Sequence, residues 1–243
     1  MKALILAGGR GKRLDDLSAN RNKCMLEING KPVIEYSLDC IINTDIEEII
    51  IVVGYRAEEI INAYGTKYKD KKLRYVIQWE QKGLVNAIEC AKETIDGDDF
   101  MLFLGDEIMV NPRHPAMLDD FKRENVFALC GVLNVDNKDL IRRTYMVIAG
   151  EDRAIHRLVE KPPRPLNNIM GTGDCIFKND IFDYIDITPI HHERHEKELP
   201  DLIQCAVDDG QKVKYFVVCD KYTNINAGED ITMAESFFKP ECR

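Results

Sequence analysis

Residues 1–14 read MKALILAGGRGKRL, an apolar run followed at once by a basic, glycine-rich segment. The run from Ala3 to Leu6 predicts a short buried strand, and glycines after a strand let backbone N–H groups approach phosphates closely. No Gly-Lys-Ser/Thr follows as in a Walker A loop, and the Gly-x-Gly-x-x-Gly spacing of dinucleotide-binding folds is lacking. The segment therefore predicts a phosphate-binding turn; a plain tight turn with two surface cations is the alternative.

Apolar patterning in the first half of the chain alternates between strand and helix. Alternation of this kind predicts an α/β fold with a doubly wound, Rossmann-like sheet, mostly parallel. After about Asn111 the pattern favours shorter strands of a mixed sheet. The predicted strands are 49–53, 73–77, 100–104, 126–135, 145–148, 154–160, 173–177 and 213–218, and the predicted helices are 33–41, 56–64, 84–94, 179–185, 198–209 and 228–238.

Length and composition narrow the classes of protein. A chain of 243 residues favours one α/β domain, 1–243. A net charge of −9 argues against nucleic acid as a partner. No apolar run approaches the ~18 residues of a membrane span, and no signal peptide precedes the first strand. Eight cysteines without a Cys-x-x-Cys pair favour free thiols and a cytoplasmic location. A homo-oligomer remains open.

Motifs further along the chain add to the glycine-rich turn. They are Asn22-Lys23-Cys24-Met25-Leu26, Asn29-Gly30-Lys31-Pro32, Gly83-Leu84-x-x-Ala87, Leu104-Gly105-Asp106, Glu160-Lys161-Pro162, Gly171-Thr172-Gly173 and Asn224-Ile225-Asn226-Ala227-Gly228-Glu229-Asp230. In this order they resemble the nucleotidyltransferase family that activates sugar 1-phosphates and related acceptors. The resemblance implies a GT-A-like nucleotidyltransferase fold, with NTP bound by residues 1–110 and the acceptor by residues 111–243.

The implied reaction moves a nucleoside monophosphate from an NTP to the phosphate or phosphonate of a small molecule, with Mg²⁺ and loss of pyrophosphate. Such chemistry depends on positioning and on charge stabilisation. The resemblance implies that Arg13 and Lys23 contact the phosphates and that Lys161 orients the phosphate of the acceptor. It also implies that Asp106 and Asn226 hold Mg²⁺, which prefers oxygen ligands.

The remaining implied site residues divide between the two substrates. The nucleotide-binding set is Leu6, Ala7, Gly8, Gly9, Gly11, Gln78 and Gly83, and the acceptor-binding set is Glu107, Glu160, Gly173 and Asp174. In relatives that use pyrimidine nucleotides, a Gln at the position of Gln78 contacts the base. Because a side-chain amide can flip, this Gln does not choose among uracil, thymine and cytosine.

The chain departs from the family pattern at four positions. Asn22 replaces the usual Pro, which is expected to loosen the local backbone, and Asn226 stands where many members carry Asp. Glu107 and Asp174 add acids where neutral residues are common. These two acids favour a cationic acceptor such as 2-aminoethylphosphonate or phosphocholine, with CTP as donor. The alternative is that both acids point away from the acceptor or pair with basic residues.

Two alternatives to the cytidylyltransferase remain open. The first is a sugar-1-phosphate thymidylyl- or uridylyltransferase. The second, of another class, is a nucleotide-binding regulatory protein that has lost catalysis. The segment from His191 to His195 has the i, i+4 histidine spacing of a zinc site, but no accompanying Cys or His motif is present. A charged loop over the acceptor site is the preferred interpretation.

Overall fold

The computed structural model describes residues 1–11, 14 and 21–239 of the chain. Arg13 and Lys12 lie outside the described residues. The strands are β1 (Lys2–Ala7), β2 (Glu27–Ile28), β3 (Lys31–Pro32), β4 (Glu48–Val53), β5 (Lys67–Tyr68), β6 (Lys71–Ile77), β7 (Phe100–Leu104), β8 (Glu107–Val110), β9 (Ala128–Asn134), β10 (Tyr145–Ala149), β11 (Ile155–Glu160), β12 (Ile169–Phe177), β13 (Val213–Val217) and β14 (Lys221–Asn224). The α-helices are α1 (Val33–Ile42), α2 (Ala57–Tyr64), α3 (Leu84–Cys90), α4 (Lys92–Ile95), α5 (His114–Glu124), α6 (Lys138–Ile141), α7 (Leu199–Asp208) and α8 (Gly228–Ser236), and 3-10 turns span Lys23–Met25 and Asn179–Tyr184.

Strand β1 lies in the middle of a ten-stranded sheet, with β4 on one side and β7 on the other, both parallel to it. Its residues alternate between two cores. Ala3 and Ile5 pack with α1 and α5 on one face, and Leu4 and Leu6 pack with α3 and α7 on the other. A strand covered on both faces needs a continuous apolar run, which explains why β1 and β4 are readable in the sequence.

The second half of the chain extends this sheet with mixed pairing. Strand β12 runs antiparallel to β7, β9 and β10, and β13 pairs in parallel with β9. The order across the sheet is β11-β10-β12-β7-β1-β4-β6-β5, with β9 and β13 branching from β12. The predicted α/β class and doubly wound mixed sheet are therefore confirmed.

Some elements differ from the sequence-based expectation. Helix 84–94 is interrupted at Ala91, and β12 begins at Ile169, four residues before the predicted strand. The antiparallel pair of β8 and β14 was not predicted, nor was α5. Helix α5 buries two polar side chains, His114 and Asp120, so its buried face does not read as an apolar stripe.

The described residues include seven of the eight cysteines. The seven cysteines among them are all free thiols. No helix within the described ranges combines the length and apolar character that a bilayer crossing requires.

Gly171 on β12 lies directly beneath the ring of Tyr145. A Cβ at this position would come within 2.0 Å of two ring carbons, and the Tyr145 hydroxyl donates a 2.9 Å hydrogen bond to the carbonyl of Thr172. We expect Gly171→Ala to displace the ring and to lower the free energy of unfolding by about 1–3 kcal/mol. Urea denaturation measures the loss.

Gly228→Ala is the matched control, because no atom lies within 4 Å of a Cβ built there. Equal stability of the two variants would contradict the predicted clash.

Candidate active site

A cavity of about 720 Å³ opens at the carboxyl ends of the parallel strands. Gly8 follows β1, Gln78 follows β6 and Asp106 follows β7, and all three line it. Ligands of open α/β sheets bind at this edge, because the loops that follow adjacent parallel strands meet there.

The most polar part of the cavity is formed by Lys23, Asp106 and Asn226. The ammonium group of Lys23 donates to the Asp106 carboxylate and, over 3.3 Å, to Asn226 Oδ1. Asn226 Nδ2 donates to Asn224 Oδ1 at 2.7 Å, which turns Oδ1 of Asn226 toward Lys23. Three segments that are distant in sequence thus bring a cation and two oxygen ligands together.

Asn22 holds the backbone next to Lys23. It is fully buried, and its Nδ2 donates to the carbonyls of Ala7 at 3.1 Å and Tyr55 at 2.7 Å. Its Oδ1 accepts from the Cys24 N–H at 2.8 Å. The expectation that Asn22 loosens this segment is wrong, because its side chain ties the segment to the chain beyond β1 and β4.

Asp230 fixes the backbone that carries Asn226. Its Oδ2 accepts from the N–H groups of Asn226 at 2.9 Å and Ala227 at 2.8 Å. A carboxylate in the first turn of α8 also suits the positive end of the helix dipole. Arg143 contacts the same carboxylate at 3.4 Å from the other side of the cavity.

Most of the predicted nucleotide-binding residues also line the cavity. Leu6, Gly8, Gly9, Gln78 and Gly83 line it, together with the apolar side chains of Leu84 and Ala87. Ala7 and Gly11 are not among its lining residues; the carbonyl of Ala7 instead accepts the hydrogen bond from Asn22. An amide beside apolar groups can accommodate a planar base.

Glu107 lines the cavity but is engaged with the protein. Its Oε1 accepts from the Tyr222 hydroxyl at 2.6 Å and from the Gly173 N–H at 2.9 Å. Burial, together with the nearby Asp174 carboxylate, raises the pKa of Glu107 well above its usual range, which favours the neutral acid. A neutral carboxyl attracts a substrate ammonium weakly.

Asp174 does not face the cavity, contrary to its predicted role at the acceptor. It is 3% exposed, and its Oδ2 lies 2.6 Å from Nε2 of the fully buried His114. Burial disfavours the imidazolium of His114, but the adjacent Cys40 thiol and Asp174 carboxylate raise its pKa to about 10. Asp174 is therefore the partner of a buried charged histidine, and no sequence signal pairs residues 60 positions apart.

Glu160 and Lys161, which the motifs assign to the acceptor, lie next to each other in the cavity wall. Lys161 Nζ is 2.8 Å from Glu160 Oε1, and the backbone N–H of Lys161 donates to the carbonyl of Thr144 at 2.7 Å. Burial raises the pKa of Glu160, although Lys161 opposes that shift. Both residues line the cavity, as does Gly173.

The segment from His191 to His195 lies at the rim of this region. Arg194 contacts Glu198 and, at 3.5 Å, Glu160. Glu196 reaches the cavity and packs so closely on Gly83 that a Cβ at position 83 would lie 2.8 Å from that of Glu196. The histidine rings of residues 191 and 192 stack on each other with centroids 5.0 Å apart.

The lining includes residues that were not predicted, among them two arginines and a tyrosine. Arg142 and Arg143 precede β10, and Tyr222 belongs to β14. Two adjacent arginines between a helix and a strand read in sequence as a solvated pair, so no pattern marks them. Arg143 bridges to Glu229 at 2.8 Å, which links the segment before β10 to α8.

Comparison with known proteins adds a second line of observation. The nucleotidyl transferase family matches residues 2–239. The chain is 30% identical over 241 residues to the UTP–glucose-1-phosphate uridylyltransferase AglF of Haloferax volcanii, covering 99% of this chain and 98% of that protein. It is 30% identical over 221 residues to a glucose-1-phosphate thymidylyltransferase of Streptomyces griseus, covering 90% of this chain and 60% of that protein.

A solved structure of a UDP-glucose pyrophosphorylase complexed with UDP-glucose has a TM-score of 0.87 at 21% identity, covering 98% of this chain and 97% of that one. At this identity the likeness shows the fold. Apart from AglF, the curated relatives are longer, and the chain spans about half to two thirds of their length.

The buried pair of His114 and Asp174 yields a pH-dependent prediction. The pKa of His114 rises from 6.5 to about 10 on folding, so the pair stabilises the fold fully below pH 6.5 and less as the pH rises toward 10. We expect Asp174→Asn to lower the free energy of unfolding by about 3–5 kcal/mol at pH 6.5, and by less at pH 9.5.

Urea denaturation at the two pH values measures the difference, with Asp183→Asn on an exposed carboxylate as the control. A loss of stability that is the same at both pH values would contradict the assignment of a charged His114.

Proposed function

The chain belongs to the nucleotidyl transferase family and is a nucleotidyltransferase, and we propose that it transfers a uridylyl or thymidylyl group from an NTP to a sugar 1-phosphate. The observation that carries the proposal is that Lys23, Asp106 and Asn226 meet in one cavity that Gln78 also lines. The names of two relatives, a uridylyl- and a thymidylyltransferase for glucose 1-phosphate, support this substrate class.

The partners of Glu107 and Asp174 also favour a sugar acceptor over a cationic one. CTP and an aminoalkyl phosphonate were favoured on the premise that Glu107 and Asp174 face the acceptor. Asp174 instead pairs with His114, and Glu107 bonds to Tyr222 and Gly173. Neither relative named above is a cytidylyltransferase, so the sugar-phosphate alternative has the better support.

In the proposed reaction, a phosphate oxygen of the acceptor attacks the α-phosphorus of the NTP in line. The new oxygen–phosphorus bond forms as the bond to pyrophosphate breaks. Lys23 donates its N–H groups to the α-phosphate oxygens as negative charge develops on them. Lys161, at the cavity wall, holds the phosphate of the acceptor, so both reactants stay in position.

Asp106 and Asn226 would hold the divalent cation, for which Mg²⁺ is our assignment. The fit is chemical: both present oxygen atoms, and the ammonium of Lys23 already lies against them, so positive charge is stabilised there. When bound, Mg²⁺ supplies charge neutralisation at the phosphates. Two protein ligands suit an ion that keeps waters and phosphate oxygens in its remaining positions.

A substrate panel tests the proposal. Pyrophosphate release is followed with UTP, dTTP, CTP, ATP and GTP, each offered with glucose 1-phosphate, 2-aminoethylphosphonate and phosphocholine. We expect glucose 1-phosphate with UTP or dTTP to give the highest kcat/KM. Highest kcat/KM for CTP with 2-aminoethylphosphonate would overturn the sugar assignment, and no release with any pair would overturn catalysis.

The cluster around Lys23 yields a prediction about the chemical step. We expect Lys23→Ala to lower kcat by on the order of 10²–10³, the usual loss for one preorganised charge at a developing anion. Asp106→Ala is expected to abolish turnover while the protein stays folded.

Asp70→Ala, at a side chain that is 71% exposed, is the control and should retain wild-type kcat. If Lys23→Ala weakened NTP binding with unchanged kcat, the ammonium would act only in the ground state.

A further inference from the structure

The amide of Gln78 has a fixed orientation. The side chain is 4% exposed, and its Nε2 donates to the carbonyl of Gly83 at 3.2 Å and to Asn86 Oδ1 at 2.9 Å. Both N–H bonds of the amide are therefore used inside the protein. A flipped amide would turn its oxygen toward two acceptors and would lose both hydrogen bonds.

The neighbours of this amide leave no second arrangement. A backbone carbonyl only accepts, so the Gly83 contact by itself requires the nitrogen of Gln78 on that side. Asn86 is oriented in turn by Glu89, because Asn86 Nδ2 lies 3.4 Å from Glu89 Oε2 and a carboxylate only accepts. Asn86 consequently presents its oxygen to Gln78, so each donor in this series of contacts meets an acceptor.

Gln78 lines the cavity, and the oxygen of its amide points away from the Gly83 carbonyl and Asn86 Oδ1. The amide oxygen lies over the glycine-rich turn, where a Cβ at position 8 would come within 2.9 Å of it. Across the described ranges, no residue donates a hydrogen bond to this oxygen. Nor does any residue in the same ranges accept from the backbone N–H groups of Gly83 and Leu84, which begin α3 and line the cavity. This end of the cavity thus offers one acceptor beside free backbone donors.

We propose that Asn86 is a positioning residue that, with the Gly83 carbonyl, holds the Gln78 oxygen toward the base and thereby selects uracil or thymine over cytosine. The inference rests on the proposed function, in which the base lies at Gln78. Uracil and thymine carry an N3–H donor between two carbonyl groups, which matches an acceptor beside N–H donors. Cytosine has a lone pair at N3, which would face the acceptor oxygen of Gln78. Its amino group at C4 would face the backbone N–H donors.

The expected discrimination follows from the cost of an opposed polar group. A buried acceptor without a donor costs about 1–3 kcal/mol, or roughly 5- to 150-fold in affinity. Truncating Asn86 removes one of the two hydrogen bonds that orient the amide, which is worth about two- to tenfold. The Gly83 carbonyl remains, so we expect selectivity to narrow without disappearing.

Calorimetric titration of the wild-type chain with UTP, CTP and N3-methyl-UTP, with Mg²⁺ and no acceptor, tests the base contact. We expect UTP to bind at least about fivefold more tightly than either of the others, because both lack the N3–H donor. CTP binding as tightly as UTP would overturn the proposal. N3-methyl-UTP binding as tightly as UTP would do the same.

Three variants test the role of Asn86. Asn86→Leu removes the acceptor at similar volume and should reduce the UTP:CTP affinity ratio about two- to tenfold. Asn86→Asp keeps an acceptor toward Gln78 and should preserve the ratio. Asn62→Leu makes the same chemical change on the exposed surface of α2 and should leave both affinities unchanged. An unchanged ratio in a folded Asn86→Leu variant would overturn the positioning role.

The two proposals fail in different ways. If UTP binds more tightly than CTP but no sugar 1-phosphate is accepted, the sugar-1-phosphate assignment falls and the base inference stands. If glucose 1-phosphate reacts with UTP and CTP equally well, and both nucleotides bind equally, the base inference falls and the sugar assignment stands.

Discussion

The parallel pairing of β1 with strands on both sides is the constraint on which the rest of the structure depends. Its hydrogen-bonding pattern continues past the strand ends: Gly105 N–H donates to Leu6 at 2.9 Å, and Tyr55 N–H donates to Gly8 at 3.2 Å. A further bond of 2.8 Å joins the Gln78 N–H to Val53. The turns that follow four strands are therefore held at one level, and the cavity forms where they meet.

Polar contacts around this edge serve two purposes. Some hold the frame: Asn22 joins the Lys23 segment to the ends of β1 and β4, and Asp230 holds the backbone of Asn226. Other polar groups line the cavity, among them the side chains of Lys23, Arg142 and Arg143. In the described part of the chain two of these cations are paired with carboxylates of the same cavity, Lys23 with Asp106 and Arg143 with Asp230, so the charges of the lining are interleaved.

Elements whose own residues form a continuous apolar run or a glycine-rich turn were predictable from the sequence. The strand β7 is apolar throughout, and β1 and β4 are apolar after their first residue, because both faces are covered. The glycine-rich turn follows from its position after a strand. Helix α5 was missed because its buried face carries His114 and Asp120. The antiparallel pairing of β8 with β14 was missed because it joins segments more than a hundred residues apart.

Most residues of the site could be predicted from the sequence, but not every contact that their side chains make. Lys23, Asp106 and Asn226 come together as the motifs implied, and Gln78 lies in the same cavity. The direction of the Asp174 side chain was not predictable, since it depends on a histidine from α5. Arg13, also predicted, lies outside the described residues.

Base selection shows the same division between residue type and environment. A glutamine can read either pattern of a pyrimidine edge, so its presence in a sequence is neutral toward the choice of nucleotide. Here the carbonyl of Gly83 and the oxygen of Asn86 take both of its donors and leave only an acceptor for the ligand. Because a backbone carbonyl cannot reverse its polarity, the turn before α3 contributes to the preference as much as any side chain does. Under the proposed base contact, selectivity would depend on the residues that orient Gln78 as well as on Gln78 itself.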